Sequence, residues 1–142
     1  MDKRVFGITV WKNSGKTTLT ERLVRELTAR GRRVSTVKHA HHDADIDRQG
    51  TDSFRHRQAG ATEVALVCGR RWALMRELRD EAEPALDAVL ARMADADIVL
   101  VEGYKREPHQ KIEARRLGAR DTAPLSPGDR IIVAVAADHP QP

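Results

Sequence analysis

Eight residues near the start of the chain, Trp11-Lys12-Asn13-Ser14-Gly15-Lys16-Thr17-Thr18, combine turn-forming residues with lysine and hydroxyl side chains. A tight turn of this kind points successive backbone N–H groups inward. A helix starting at Lys16 adds the positive end of its dipole, and both favour a multiply charged phosphate. Asn13, Ser14, Gly15, Lys16, Thr17 and Thr18 are therefore the first candidate contacts, with Lys16 reaching the outer phosphates. The Thr17 hydroxyl is placed to hold a Mg2+ ion that keeps several of its waters. In the strict pattern G-x-x-x-x-G-K-[ST] the first glycine falls on Val10, and Asn13 stands where many such turns carry glycine. Asn tolerates left-handed backbone angles better than other non-glycine residues, so it can still serve there.

A second chemical element is the run Asp97-Ile98-Val99-Leu100-Val101-Glu102-Gly103, which reads as a buried strand delivering a carboxylate at its C-terminal end. Beside a phosphate turn, Glu102 can orient Mg2+ through a coordinated water or activate a nucleophilic water, which makes it the candidate catalytic residue. Together the two elements look like the Walker A and Walker B parts of a P-loop. Lys105 and Arg106 follow at once, either as phosphate contacts or as solvated residues, and Lys105 is the candidate of the two.

The most chemically loaded stretch is Lys38-His39-Ala40-His41-His42-Asp43, with Asp45 and Asp47 beyond it. Its residues admit three readings. Three imidazoles with carboxylates can ligate Zn2+ or Ni2+. Alternatively Lys38, His39 and His41 hold an anion while Asp43 joins the Mg2+ shell, or the stretch is a solvated polar loop. Asp52 is either another residue of the metal shell or a helix N-cap. Asp138, after the last strand, can accept the paired N1–H and N2–H2 donors of guanine, which adenine does not present. Trp72 and Trp11 read as packing residues, and Cys68 has no activating base.

To position these groups the chain must alternate strands and helices. Residues 5–10 form a strand entering the phosphate turn. From Lys16, Leu19, Leu23 and Leu27 recur at helical spacing until Gly31, and Arg30, Arg32 and Arg33 suit the helix's negative end. Residues 34–38 are β-rich. A β-α-β unit with its right-handed crossover implies a parallel sheet. Residues 53–59 predict a short helix, 63–67 and 72–75 a hairpin, and 84–93 a helix with Pro84 in its first turn. Residues 97–101 and 131–135 predict strands, 111–117 a weaker one, and 118–128 a loop.

At 142 residues the chain fits one compact domain, residues 1–142. The hydrophobic fraction of 40% and charged fraction of 32% are those of a globular protein. No apolar run approaches the ~18 residues of a membrane span, so no membrane partner and a cytoplasmic location are expected. A single cysteine excludes an internal disulfide. Residues 1–71 carry 15 Lys/Arg against 8 Asp/Glu, net +7, and residues 72–142 carry 10 against 13, net −3. The basic half holds the phosphate turn. Five Phe, Trp and Tyr in all leave little for stacking bases, which argues against a nucleic-acid partner.

The phosphate turn, the Lys38–Asp43 stretch, Gly50-Thr51-Asp52-Ser53, Ala59-Gly60-Ala61, Arg71-Trp72-Ala73-Leu74 and Val101-Glu102-Gly103-Tyr104-Lys105 together resemble the MobB family of molybdopterin-guanine dinucleotide biosynthesis adapters. The resemblance implies an α/β, P-loop NTPase-like three-layer fold with a mainly parallel sheet and a β-hairpin insertion. It also implies GTP and Mg2+ as ligands, with molybdopterin as a further bound group. Homodimerisation, weak GTP hydrolysis and assistance to a MobA-like molybdopterin guanylyltransferase follow from the same resemblance. It assigns Lys16 and Thr17 to phosphate and Mg2+, Glu102 to the Walker B acid, and Asp138 to the base. The C-terminus reads as shorter than the family's. A metal-delivery GTPase and a small-molecule kinase on the same fold are the rival readings, and a scaffold with a vestigial site is the third.

Overall fold

The computed structural model describes residues 4–10, 16–40, 51–104, 106–115 and 132–137. In chain order the elements are β1 (Arg4–Val10), α1 (Lys16–Ala29), β2 (Val34–Lys38), α2 (Asp52–Gln58), β3 (Glu63–Val67), β4 (Trp72–Arg76), α3 (Leu86–Arg92), β5 (Ile98–Glu102), β6 (Gln110–Arg115) and β7 (Ile132–Ala137). They fall into two compact units, one of Met1–Ala40 and Val89–Pro142, the other of His41–Ala88.

The first unit is a five-stranded sheet in the order β2-β5-β1-β6-β7. Every pairing in it is parallel, which confirms the expected α/β class. β1 and β2 are not neighbours, because β5 lies between them. Central parallel strands are covered on both faces and so read as continuous apolar runs, and β5 obeys this: Val99, Leu100 and Val101 are at most 1% exposed. α1 packs against β1, β5 and β2. It stops where Gly31 takes φ +80°. There Gly31 N–H donates to Thr28 O (2.9 Å) and Arg32 N–H to Leu27 O (3.0 Å), the paired bonds of a Schellman cap. β2 is then tied to the start of β5 through Asp97, whose Oδ2 accepts from Arg33 N–H at 2.7 Å.

β6 is the strand least visible in its residues. Lys111 and Glu113 look like surface positions, yet they are 4% and 0% exposed. Their burial is compensated locally: Lys111 Nζ donates to Glu107 O (2.7 Å) and His109 O (3.3 Å), and Glu113 pairs with Arg115 at 2.9 Å. β7 runs to Ala137, two residues beyond its expected end. α3 is shorter than expected, so Pro84 precedes it rather than sitting in its first turn.

The second unit holds α2 and the predicted hairpin. β3 and β4 pair antiparallel with Val67 opposite Trp72 and Glu63 opposite Arg76, and Cys68 N–H closes the turn onto Arg71 O at 2.9 Å. One face buries Val64 and Met75. The other leaves Val67 71%, Trp72 68% and Leu74 47% exposed. Trp72 is thus not a packing residue among the described residues, against expectation. Thr51, not Asp52, takes the N-cap position of α2, with φ −75° and ψ 163°. No helix among the described residues is long and apolar enough to cross a membrane.

Candidate functional site

The site forms at the C-terminal end of the parallel strands, where the first unit gathers the ends of β1, β2 and β5 around the start of α1. In register, Glu102 at the end of β5 stands between Ile8 of β1 and Lys38 of β2. Register partners in a sheet share a face, so Lys38 and Glu102 lie on the same side as α1. Glu102 is 5% exposed. Its Oε1 accepts the Thr20 hydroxyl at 2.8 Å, a buried bond that ties α1 to the sheet.

Thr17 lies one turn before Thr20 on α1, and residues three apart share a helix face. Both line a groove of about 570 Å3 together with Glu102 and Lys38. A buried carboxylate and threonine hydroxyls are hard oxygen donors, the type Mg2+ selects. Only one of the two Glu102 oxygens is taken by Thr20, so the residues present fit a Mg2+ ion. Lys16 opens α1 as expected, and Thr18 is exposed on its outer side.

Beyond Glu102 the path of the chain is set by backbone conformation. His39 N–H donates to Glu102 O at 2.8 Å, carrying the chain from β2 across the end of β5. Gly103 follows with φ +91°, where a Cβ would lie 2.7 Å from His39 Cβ. Tyr104, also left-handed at φ 52°, folds its ring back to 4.7 Å from the His39 ring. Glycine after Glu102 therefore admits His39 itself.

Thr17, Lys38, His39 and Glu102 are thus brought together as the sequence predicts. Asp52 opens α2 in the second unit. Asn13, Ser14, Gly15, His41, Asp43, Lys105 and Asp138 lie outside the described residues, as do His42 and Trp11. Sequence reasoning missed Thr20 and Tyr104. The signal for Thr20 was its place three residues after Thr17, and for Tyr104 its place as the only tyrosine, directly after the Glu-Gly pair.

A family model described as molybdopterin guanine dinucleotide synthesis protein B, MobB, matches residues 5–138. The chain belongs to the MobB family. It is 41% identical over 138 residues to the molybdopterin-guanine dinucleotide biosynthesis adapter protein of Escherichia coli (strain K12), covering 96% of this chain and 79% of that one. Identity to the protein of the same name from Haemophilus influenzae is 43% over 139 residues, with 96% and 75% covered. Among solved structures, a MobB homolog from Bacillus stearothermophilus matches with TM-score 0.57 and 33% identity over 80% of this chain and 64% of that one. A crystal structure of Bacillus subtilis MobB matches with TM-score 0.70 over 96% and 91%. At 20% identity that last likeness speaks for the fold alone. MobB-family membership confirms the resemblance carried by the phosphate turn, the His-rich stretch and the Glu-Gly-Tyr element.

Proposed function

We propose that this MobB-family chain binds GTP with Mg2+ and serves as an adapter in molybdopterin guanine dinucleotide biosynthesis, working as a cytoplasmic homodimer beside a MobA-like guanylyltransferase. The observation that supports it best is the buried Glu102 carboxylate, held by Thr20 in the groove that Thr17 also lines. In this reading the backbone amides of Asn13, Ser14 and Gly15 and the Lys16 ammonium grip the phosphates. The hydroxyl of Thr17 and the Glu102 carboxylate hold Mg2+, with Asp43 and Asp52 as further oxygen donors. Bound there, the ion neutralises phosphate charge. Lys38, His39, His41 and Lys105 add positive charge and donors around the phosphates, and Asp138 selects guanine.

Hydrolysis is slow in this reading. Transition-state charge in such sites is neutralised by a supplied guanidinium worth ~10³–10⁵ in rate. Arg25, the guanidinium among the residues lining the groove, is instead held by Glu21 at 2.9 Å. Calorimetric titration with GTP, with ATP as control, tests the reading. Saturable Mg2+-dependent GTP binding that is lost in Lys16→Ala is the expected result, and unchanged affinity in that variant overturns the site.

A further inference from the structure

β5 and β6 run parallel on either side of β1, so the chain that joins them must cross a face of β1. Such a crossover usually takes about a dozen residues or more, most often as a helix. Here β5 ends at Glu102 and β6 begins at Gln110, which leaves seven. The crossover moves along the sheet in the opposite direction to β1-α1-β2, so right-handedness puts it on the face away from α1. A connection this short leaves no room for a helix over β1.

Gly7 is where it comes close. In register Gly7 stands between Val101 of β5 and Lys111 of β6, on the face away from α1. Its missing side chain admits the His109 ring, because an added Cβ would collide with Nε2 and lie 2.8 Å from Cδ2. Beside the ring, the ammonium of Lys111, a residue 4% exposed, donates to Glu107 O at 2.7 Å and to His109 O at 3.3 Å. The end of the crossover thus has two anchors, an ammonium and an imidazole. Its start belongs to the site. There the Tyr104 ring meets the His39 ring, and Glu107 N–H donates to Tyr104 O at 3.0 Å. The residue that Lys111 holds is therefore bonded directly to the residue that packs on His39.

Of the two anchors, only the imidazole changes charge near neutral pH. His109 is part-buried, yet both ring nitrogens are shut off from solvent and lack a hydrogen-bond partner among the described residues. On this face β1 presents Val5, Gly7 and Thr9, none of them titratable, and Ile132 is the β7 residue in register with Lys111. On β6, Glu113 and Arg115 pair with each other at 2.9 Å. That leaves the Lys111 ammonium, which disfavours a proton on the ring, and the Glu107 carboxylate, which favours one. Burial and Lys111 outweigh Glu107, and the pKa lies below the ordinary 6.5. An imidazolium in this place would hold two N–H donors without acceptors beside a buried ammonium. It must leave Gly7 to reach water.

We propose that His109 is a positioning residue for the nucleotide site: its neutral ring, seated on Gly7, fixes the crossover and with it the Tyr104–His39 pair, and a proton taken up on the ring releases them. The effect on GTP rests on the nucleotide reading; the anchoring itself does not.

Tyr104 is the only tyrosine of the chain, so 3-fluorotyrosine labels it alone and one fluorine NMR signal reports the crossover. In the labelled parent chain that signal should titrate between pH 7.5 and 5 with a midpoint below the ordinary histidine value. His109→Phe keeps a ring on Gly7 that takes no proton, and should lose this titration. His39→Gln removes the imidazole at the Tyr104 contact and should keep it. Gly7→Ala displaces the His109 ring and should show the low-pH signal already at pH 7.5. Mg2+-GTP affinity should match in the parent and His109→Phe within twofold at pH 7.5, and at pH 5 should have fallen at least fivefold further in the parent. Circular dichroism checks folding, and His109→Leu takes the place of the Phe variant if that one does not fold. A signal that stays fixed in the parent, titrates alike in His109→Phe or stops titrating in His39→Gln overturns the proposal, as does an equal loss of GTP affinity in both chains. If the parent binds no GTP at pH 7.5 the nucleotide reading fails, and the fluorine titration alone then upholds or overturns the anchor.

Discussion

The hydrogen bond between Thr20 and Glu102 joins a helix to a strand 82 residues later in sequence. Because the carboxylate is 5% exposed, little water is at hand to replace the hydroxyl. Thr20→Val keeps the shape and removes the donor. It should lower stability in urea by about 2 kcal/mol, the usual worth of a hydrogen bond to a charged group; a loss below about 0.5 kcal/mol would show the bond to be idle. His109 makes a different prediction. Its ring lies over Gly7, where any Cβ would collide with it, and neither ring nitrogen has a hydrogen-bond partner among the described residues. Burial, and then the neighbouring Lys111 ammonium, push its pKa below the ordinary value of 6.5, with Glu107 opposing. Folded protein therefore resists a proton that the unfolded chain accepts. Stability should fall as pH drops below the ordinary histidine range and level off once pH passes the depressed folded value. Melting temperatures of His109→Phe against the parent chain between pH 7.5 and 4.5 should diverge in that window, and parallel curves would refute the assignment.

At the scale of elements, two glycines share a left-handed backbone yet differ in cost. Gly31 has φ +80° and nothing within 4 Å of where a Cβ would sit, whereas at Gly103, with φ +91°, that position lies 2.7 Å from His39 Cβ. Gly31→Ala should then cost only the backbone term, about 1–2 kcal/mol. Gly103→Ala should cost more and also weaken GTP binding, because His39 and Tyr104 must move. Equal melting losses with unaltered GTP titrations would contradict this. The same scale shows what was legible. β2 and the start of α1 can be read to the residue, since the β-branched run Val34-Ser35-Thr36-Val37 and the leucine spacing after Lys16 carry local signals. β6 cannot, because the alternation of Lys111, Glu113 and Arg115 with Ile112 and Ala114 mimics a strand with one wet face. Its charges find their partners within four residues, but they are buried because β6 lies between β1 and β7, a placement that no local pattern encodes. At the site, Glu102 is legible as a carboxylate ending an apolar run. Its Thr20 partner depends on how α1 crosses β5, which spacing alone does not specify.

At the scale of the whole molecule, the hairpin leaves Val67, Trp72 and Leu74 exposed together on one face, while Leu66 on its other face and Val135 on β7 are exposed singly. Exposed aromatic and aliphatic side chains clustered in this way mark interaction surfaces, and a two-fold dimer uses the same patch on both copies. In the proposed homodimer this face is the contact. Val67→Ser combined with Trp72→Ser should turn a concentration-dependent sedimentation profile into that of a monomer while leaving GTP affinity unchanged. A double variant that still self-associates would place the contact elsewhere.

The insertion of β5 between β1 and β2 also governs how the molecule can be made. The first two strands to leave the ribosome cannot hydrogen-bond to each other, since both take a ladder from a segment that begins only at Ile98. Closing such distant pairings is slow compared with forming local structure. Until β5 is synthesised β1 has no neighbouring strand on that side, so the proposed nucleotide capture should follow release of most of the chain and not accompany its emergence.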